Sequence, residues 1–235
     1  MEVKVDALVL RCADYGENDR MLTLFTLQRG KIAACCKGVR KPKAKLRFAA
    51  QPFCFAEYVL AEKNGRYTVT GAAGMDSFYP LREDIAKLYA AGCVTGLCDA
   101  LLYENMISGE LFLRAVNALR EMCDGDEGTA LIGFFLHAVE LSGYGLAPPV
   151  CADCGAELEG GAFFDLSDGC FTCRDCRRGA GVRPETVAVL KYCLGDTGCA
   201  VTAEGKKRLL KLLRVYLRDK AGIEIRALAE YIDLL

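Results

Sequence analysis

Two cysteine pairs carry the most specific chemistry in the chain. Cys151-Ala-Asp-Cys154 and Cys173-Arg-Asp-Cys176 stand about twenty residues apart. Two thiolates three positions apart on a turn can grip one cation from the same side, and a second such pair completes the tetrahedron that zinc accepts. Cys151, Cys154, Cys173 and Cys176 are therefore the expected ligands of one zinc ion. Cys170 competes, because Cys170-x-x-Cys173 has the same spacing; the Asp168-Gly169 turn ahead of it places Cys170 in a returning strand and favours the 173/176 pair. Four thiolates close the coordination sphere, which points to a structural rather than a catalytic ion. The chain has 14 cysteines, and Cys12, Cys54, Cys93 and Cys98 sit among apolar residues as small core residues do. In a chain of 235 residues with no secretory pattern, reduced thiols plus a metal site fit better than disulfides.

A catalytic alternative is a zinc nucleobase deaminase, with His137 and Glu140 ahead of Cys151. The pattern fits poorly. His-Ala-Val-Glu replaces the H-x-E of such sites, and the second cysteine pair fills the coordination position a water would need. His137 is the single histidine and reads as a packed helix residue. No phosphate-cradling Gly-x-x-x-x-Gly-Lys loop, paired-carboxylate site or Ser/His/Asp set is present, so the expectation is a protein without catalytic chemistry.

A different chemistry runs from Arg20 to Ala56. Arg20, Arg29, Lys31, Lys37, Arg40, Lys41, Lys43, Lys45 and Arg47 fall there with no Asp or Glu, in a chain whose formal net charge is −1. Residues 1–80 sum to +5 and the remainder to −6. Such a one-sign segment is the footprint of a sequence-blind polyanion binder, since charges on phosphates carry no base code. These nine residues are the candidate DNA contacts. Phe48, Tyr58 and Tyr67 are candidate platforms for stacked bases, while Phe53 and Phe55 read as core. A second basic cluster, Lys206 to Lys220, shares a helix with Leu209, Leu210, Leu212, Leu213 and Leu217. It reads first as a docked core helix with a solvated basic face, and alternatively as a groove for an acidic, apolar-tipped peptide.

The elements that must position these groups change period at Pro80. Ahead of it, residues 3–13, 21–28, 31–37, 53–61 and 66–70 read as short strands separated by turns, and Pro42 marks the basic segment as a loop. Five short strands in about 75 residues fit a small closed barrel, an OB-fold. Beyond it, helices are expected over 81–104, 109–123, 129–143, 184–194, 204–222 and 225–235. The fold class is α+β: a five-stranded OB-fold barrel over 1–79, then a mainly helical domain over 80–235 carrying the cysteine module at 150–178. No apolar run reaches the ~18 residues of a spanning helix, and no signal peptide is visible, so a cytoplasmic location away from membranes is expected.

Several phrases together resemble the bacterial RecO family of recombination mediators. They are Asp14-Tyr-Gly-Glu-Asn-Asp-Arg through Thr26, the Gly30–Leu46 run, Gln51-Pro-Phe53, Pro80-Leu-Arg-Glu-Asp-Ile85, Glu140 to Gly155, and Asp168 to Cys176. One departure is Gly169-Cys170, where the family commonly has Gly-Gly. The resemblance implies an OB-fold followed by a helical domain with a four-cysteine zinc module. It implies binding to single- and double-stranded DNA and annealing of complementary strands. It also implies partnership with RecR and with the C-terminal tail of single-strand binding protein, helping RecA onto DNA coated by single-strand binding protein, in the nucleoid. A zinc-ribbon module of RNA metabolism or transcription is the competing reading.

Overall fold

The structure is a computed structural model that describes residues 2–158 and 160–235. It divides into two compact units, Met1–Asp124 and Gly125–Leu235.

The first unit is built on a closed barrel of β1 (Glu2–Tyr15), β2 (Asp19–Thr26), β3 (Gly30–Cys36), β4 (Phe55–Lys63) and β5 (Arg66–Asp76), in the order β1-β2-β3-β5-β4. Alternation along each strand sends Val5, Ala7, Val9, Leu22, Leu24, Ile32, Ala34, Tyr58, Leu60 and Val69 inward, where all are buried. β1 is long enough to serve two neighbours. Its first half pairs with β4 and its second with β2, and a register shift between Val9 and Arg11 bends it from one to the other. Two parallel rungs, Ala34 opposite Tyr67 and Cys35 opposite Thr68, close the barrel and leave no free edge.

Two helices complete this unit, α1 (Ile85–Leu101) and α2 (Gly109–Asp124). Asp84 caps α1, its carboxylate accepting from the amides of Ala86 at 2.8 Å and Lys87 at 3.1 Å. Phe112 of α2 meets Phe25 and Phe55 of the barrel edge to face, at 5.3 and 5.9 Å between ring centres. The change from strand to helix near residue 80 is thus not where packing divides, because α1 and α2 bury their apolar faces with the barrel.

The second unit holds α3 (Glu127–Leu141), a sheet of β6 (Ala162–Asp165), β7 (Cys170–Thr172) and β8 (Ala180–Val182) in the order β7-β6-β8, and α4 (Pro184–Cys193), α5 (Ala203–Ala221) and α6 (Arg226–Leu234). α3 is apolar nearly all round and buries Leu131, Ile132, Phe134, Phe135 and Val139. Tyr216 of α5 meets Phe164 of β6 at 5.8 Å, and Phe164 meets Phe171 of β7 at 4.9 Å, so α5 backs the small sheet. Among the described residues, no helix is long and apolar enough to cross a membrane.

Candidate nucleic-acid interface and metal centre

The nine cations of the basic stretch separate into two groups. Four are engaged by the fold. Arg20 donates to the Ala50 carbonyl at 2.9 Å and pairs with Asp14 at 3.2 Å. Arg29 reaches the Tyr67 hydroxyl at 3.1 Å and Glu62 at 3.5 Å. Lys31 donates to the Asp99 carbonyl at 2.6 Å and its carboxylate at 3.1 Å. Arg40 pairs with Asp14 at 3.2 Å. The other five, Lys37, Lys41, Lys43, Lys45 and Arg47, are exposed and have no carboxylate partner among the described residues.

Those five sit on a loop made of consecutive turns. The amide of Lys41 bonds the Gly38 carbonyl, that of Ala44 the Lys41 carbonyl, and that of Arg47 the Ala44 carbonyl. The loop is tied to the β1–β2 turn, where the Gly38 amide donates to Asp19 at 2.7 Å and the Arg40 amide to the Asn18 carbonyl at 2.9 Å. Val39, Ala49 and Ala50 are buried in the barrel core and Leu46 packs against it. The chain therefore plants its apolar residues inward at intervals and turns its lysines to water.

The aromatic candidates divide as well. Tyr58 is fully buried, and its hydroxyl donates to the Ala49 carbonyl at 2.6 Å, so it fastens the loop's end and is not a stacking platform. The strand alternation that put Tyr58 on the inward face was legible; the buried carbonyl waiting for its hydroxyl was not. Tyr67 is half-buried beneath Arg29. Phe48 is 44% exposed at the loop's end, resting on Gly74, and remains available as a platform. Phe53 is buried and Phe55 packs on Phe112.

In the second unit, the sulfur atoms of Cys151, Cys154, Cys173 and Cys176 lie within 4.8 Å of one another and could hold a metal ion. Those of Cys154 and Cys173 are 3.8 Å apart. Tetrahedral geometry with metal–sulfur bonds of about 2.3 Å requires roughly this separation. Each pair lies on the same kind of turn: the Gly155 amide bonds the Cys151 carbonyl at 2.8 Å, and the Arg177 amide bonds the Cys173 carbonyl at 2.9 Å. The residue closing each turn is left-handed, Gly155 at φ 73° and Arg177 at φ 42°.

Backbone amides converge on the Cys151 sulfur. Those of Cys173, Cys154 and Asp153 favour its thiolate and bring its pKa down to about 6, against burial that opposes ionisation. The thiol of Cys176 is pushed far up by the sulfurs of Cys151, Cys173 and Cys154. Four thiols this close cannot all ionise without a cation among them, and amide hydrogens already aimed at sulfur are what a thiolate–metal centre needs. Cys170 lies outside the group. It is buried in β7, and Arg178 donates to its sulfur at 3.3 Å. His137 is half-buried on α3 and is not among the grouped ligands.

The α5 cluster is mostly occupied. Lys206 pairs with Asp126 at 2.6 Å, Arg208 with Glu204 at 2.6 Å, and Arg214 with Glu224 at 3.5 Å, while Leu209, Leu210, Leu213 and Leu217 are buried. Along the same helix a groove of about 600 Å³ opens, floored by Phe164, Leu166, Val182, Leu212 and Val215, with Arg208 and Lys211 at its rim.

Comparison with known proteins accounts for both halves. Residues 1–78 match the model of the family described as recombination protein O N terminal, and residues 82–229 that described as recombination protein O C terminal. The chain is 31% identical over 234 residues to the DNA repair protein RecO of Shouchella clausii, covering 95% of this chain and 91% of that one. It is 33% identical over 223 residues to the protein of the same name from Pelotomaculum thermopropionicum, covering 91% and 87%. A third, from Rubrobacter xylanophilus, is 34% identical over 178 residues, covering 74% and 71%. With a barrel, a helical region and a four-cysteine group in the matching order, the chain belongs to the recombination protein O family.

Proposed function

We propose that this protein is a non-catalytic DNA-binding mediator of recombination and repair. It binds single- and double-stranded DNA through the loop from Lys37 to Arg47, in the cytoplasm at the nucleoid, and anneals complementary strands. With RecR it assists RecA onto DNA coated by single-strand binding protein. The observation that carries the reading is the five unpaired cations on one ordered loop of a closed barrel. Their charges have no carboxylate partner among the described residues, and a phosphate backbone supplies one. Arg20, Arg29, Lys31 and Arg40 belong to the same stretch and shape it, contributing to the field while holding the loop. The four-cysteine group holds one structural zinc ion, as a thiolate-only set favours. The groove along α5 suits the acidic, apolar-tipped tail of single-strand binding protein, with apolar residues on its floor and Arg208 and Lys211 at its rim.

Annealing of complementary oligonucleotides, run in parallel on DNA and RNA, tests the reading. The protein accelerates DNA annealing, and replacing Lys41, Lys43 and Lys45 by Glu abolishes this while zinc content and helicity stay as in the wild type. Equal annealing of RNA alone would favour a role in RNA metabolism. Wild-type annealing by the triple variant would remove the loop from the interface.

A further inference from the structure

The cysteine module carries charge that neither the metal centre nor the barrel loop uses. Arg177 and Arg178 are neighbours in sequence with opposite surroundings. Arg178 is committed to carboxylates, meeting Asp153 at 3.3 Å, Asp165 at 3.4 Å and Asp168 at 2.9 Å. Arg177 is exposed, and its guanidinium carbon lies 5.2 Å from the centre of the Phe163 ring. With Arg174 and Arg183 it lines a hollow of about 470 Å³ whose wall includes Gly160, Gly161 and Phe163 and, among the described residues, no Asp or Glu. Arg174 donates to the Gly160 carbonyl. Among the described residues no carboxylate pairs with Arg174, Arg177 or Arg183.

We propose that this hollow is a second phosphate site, which takes the backbone of a nucleic-acid strand on the cysteine module. Three guanidinium groups around one hollow repel one another until an anion enters, and their planar forks match phosphate oxygens two bonds at a time. Phe163 supports Arg177 from one face. The Arg174 guanidinium lies 3.5 Å from where a Cβ on Gly160 would stand, so the missing side chain gives that guanidinium its room. The conformation of Arg177 points the same way. The matching position of the first cysteine turn is Gly155, which takes the left-handed region without strain, whereas an arginine there is strained. An arginine held at a glycine's position gains nothing for the turn, and what it adds is charge at the hollow. An acidic peptide with an apolar tip is the poorer fit, because three cations line the hollow and its apolar lining is limited to Ala162, Phe163, Val182 and Pro184.

The proposal rests on the nucleic-acid reading above only for the identity of the polyanion, and one experiment keeps the two apart. A labelled oligothymidylate is titrated over a salt series against the full-length wild type and three variants. They are Arg177→Gly, the triple Arg174→Ala/Arg177→Ala/Arg183→Ala, and the barrel variant with Lys41, Lys43 and Lys45 changed to Glu. Each phosphate contact removed flattens the slope of log K against log salt by about 0.7. Arg177→Gly therefore flattens it by about 0.7 and the triple by about 2. Arg177→Gly keeps its metal and melts no lower than wild type, so misfolding does not explain its loss. Replacing the three arginines by lysine retains the slope, since the charge count is unchanged. Wild-type slopes in both arginine variants overturn the proposal, as does a lysine variant as flat as the alanine one. If the barrel variant keeps the wild-type slope while the arginine triple loses it, the barrel loop fails and this site stands. A Glu-rich peptide whose binding the triple abolishes, with the DNA slope untouched, also overturns it in favour of a peptide site.

Discussion

The barrel loop and the cysteine module both present cations on irregular backbone, yet they hold that backbone in different ways. The loop from Lys37 to Arg47 is anchored by ordinary core chemistry: Val39, Ala49 and Ala50 are buried, Tyr58 donates to a buried carbonyl, and Arg20 ties down the next one. The module has strands of only three or four residues and depends on four sulfurs gathered within 4.8 Å. One is a packed core extended outward, and the other is a metal site with a sheet around it. A cationic surface can thus be held by burial where a barrel is at hand, and four cysteines able to hold a metal ion offer coordination where no core is large enough.

The largest effect that separates them is loss of the metal. Cys151→Ser with Cys154→Ser removes half the ligands, and structural zinc sites contribute on the order of 10 kcal/mol to folding of the segment they organise. The expected result is no bound zinc by elemental analysis, collapse of amide protection over β6–β8, and unchanged protection over β1–β5. Full zinc retention would sink the assignment of these ligands. Melting of the barrel together with the module would show that the two regions do not differ as argued.

How much of this was legible follows the same division. The barrel could be read from alternation alone, because β1 to β5 are each half-buried and their inward residues recur at period two. Alternation along β4 also carries Tyr58 inward, yet a tyrosine's polar tip reads as a surface signal, and so as a platform, until its buried partner is seen. The cysteine ligands were legible from spacing, and Cys170 was set aside on a turn that the structure contains at Gly169, at φ 65°. β6 and β8 escaped, since Ala162–Asp165 and Ala180–Val182 are too short for periodicity to show. The pairing of cations escaped too. Nine basic residues without an acid among them look equivalent in sequence, but Asp14, Glu62 and Asp99, which single out Arg20, Arg29, Lys31 and Arg40, all lie outside the stretch, Asp14 just ahead of it and the other two beyond its end. Sequence proximity was a poor guide to which charges are free.

That point sharpens into a matched pair. Lys43→Ala removes an exposed, unpaired charge and is expected to leave the melting temperature unchanged while flattening the single-strand DNA salt slope by about 0.7. Lys31→Ala removes a half-buried lysine from the Asp99 carbonyl and carboxylate. It is expected to cost about 1–2 kcal/mol of stability with little change in slope. Salt titrations and denaturant melts on the two variants check both halves. A reversal, with Lys31 setting the slope, would mean that the fold's partners yield to DNA.

The anchoring of the loop has its own test. Tyr58→Phe leaves the Ala49 carbonyl buried without its donor, which costs about 1–3 kcal/mol. Faster amide exchange is expected between Lys41 and Ala50 than in the wild type, with weaker DNA binding and an unchanged salt slope, since no charge is lost. A flattened slope instead would mean that the loop's cations meet phosphate only in the held conformation.

The smallest expected effect lies away from both surfaces, at the start of α3. Asp126 accepts from the amides of Gly128 at 2.9 Å and Thr129 at 3.1 Å, and takes Lys206 of α5 at 2.6 Å. Burial pushes its carboxyl up, but the Lys206 hydrogen bond and the two amides outweigh it and hold the pKa below the ordinary 3.8. A carboxylate lowered in the folded state contributes stability that is present above its unfolded value and lost as pH falls through the folded one. Asp126→Ala should therefore cost about 1 kcal/mol at neutral pH, chiefly through the lost cap, because the ion pair is partly exposed and screened. The difference from wild type should shrink as pH falls below about 3.8, where the unfolded carboxyl takes up its proton, and be smallest once pH has passed the lower native value. Urea melts at pH 7 and pH 3 measure this directly. An equal difference at both would show that the cap acts through its hydrogen-bond geometry and not through charge.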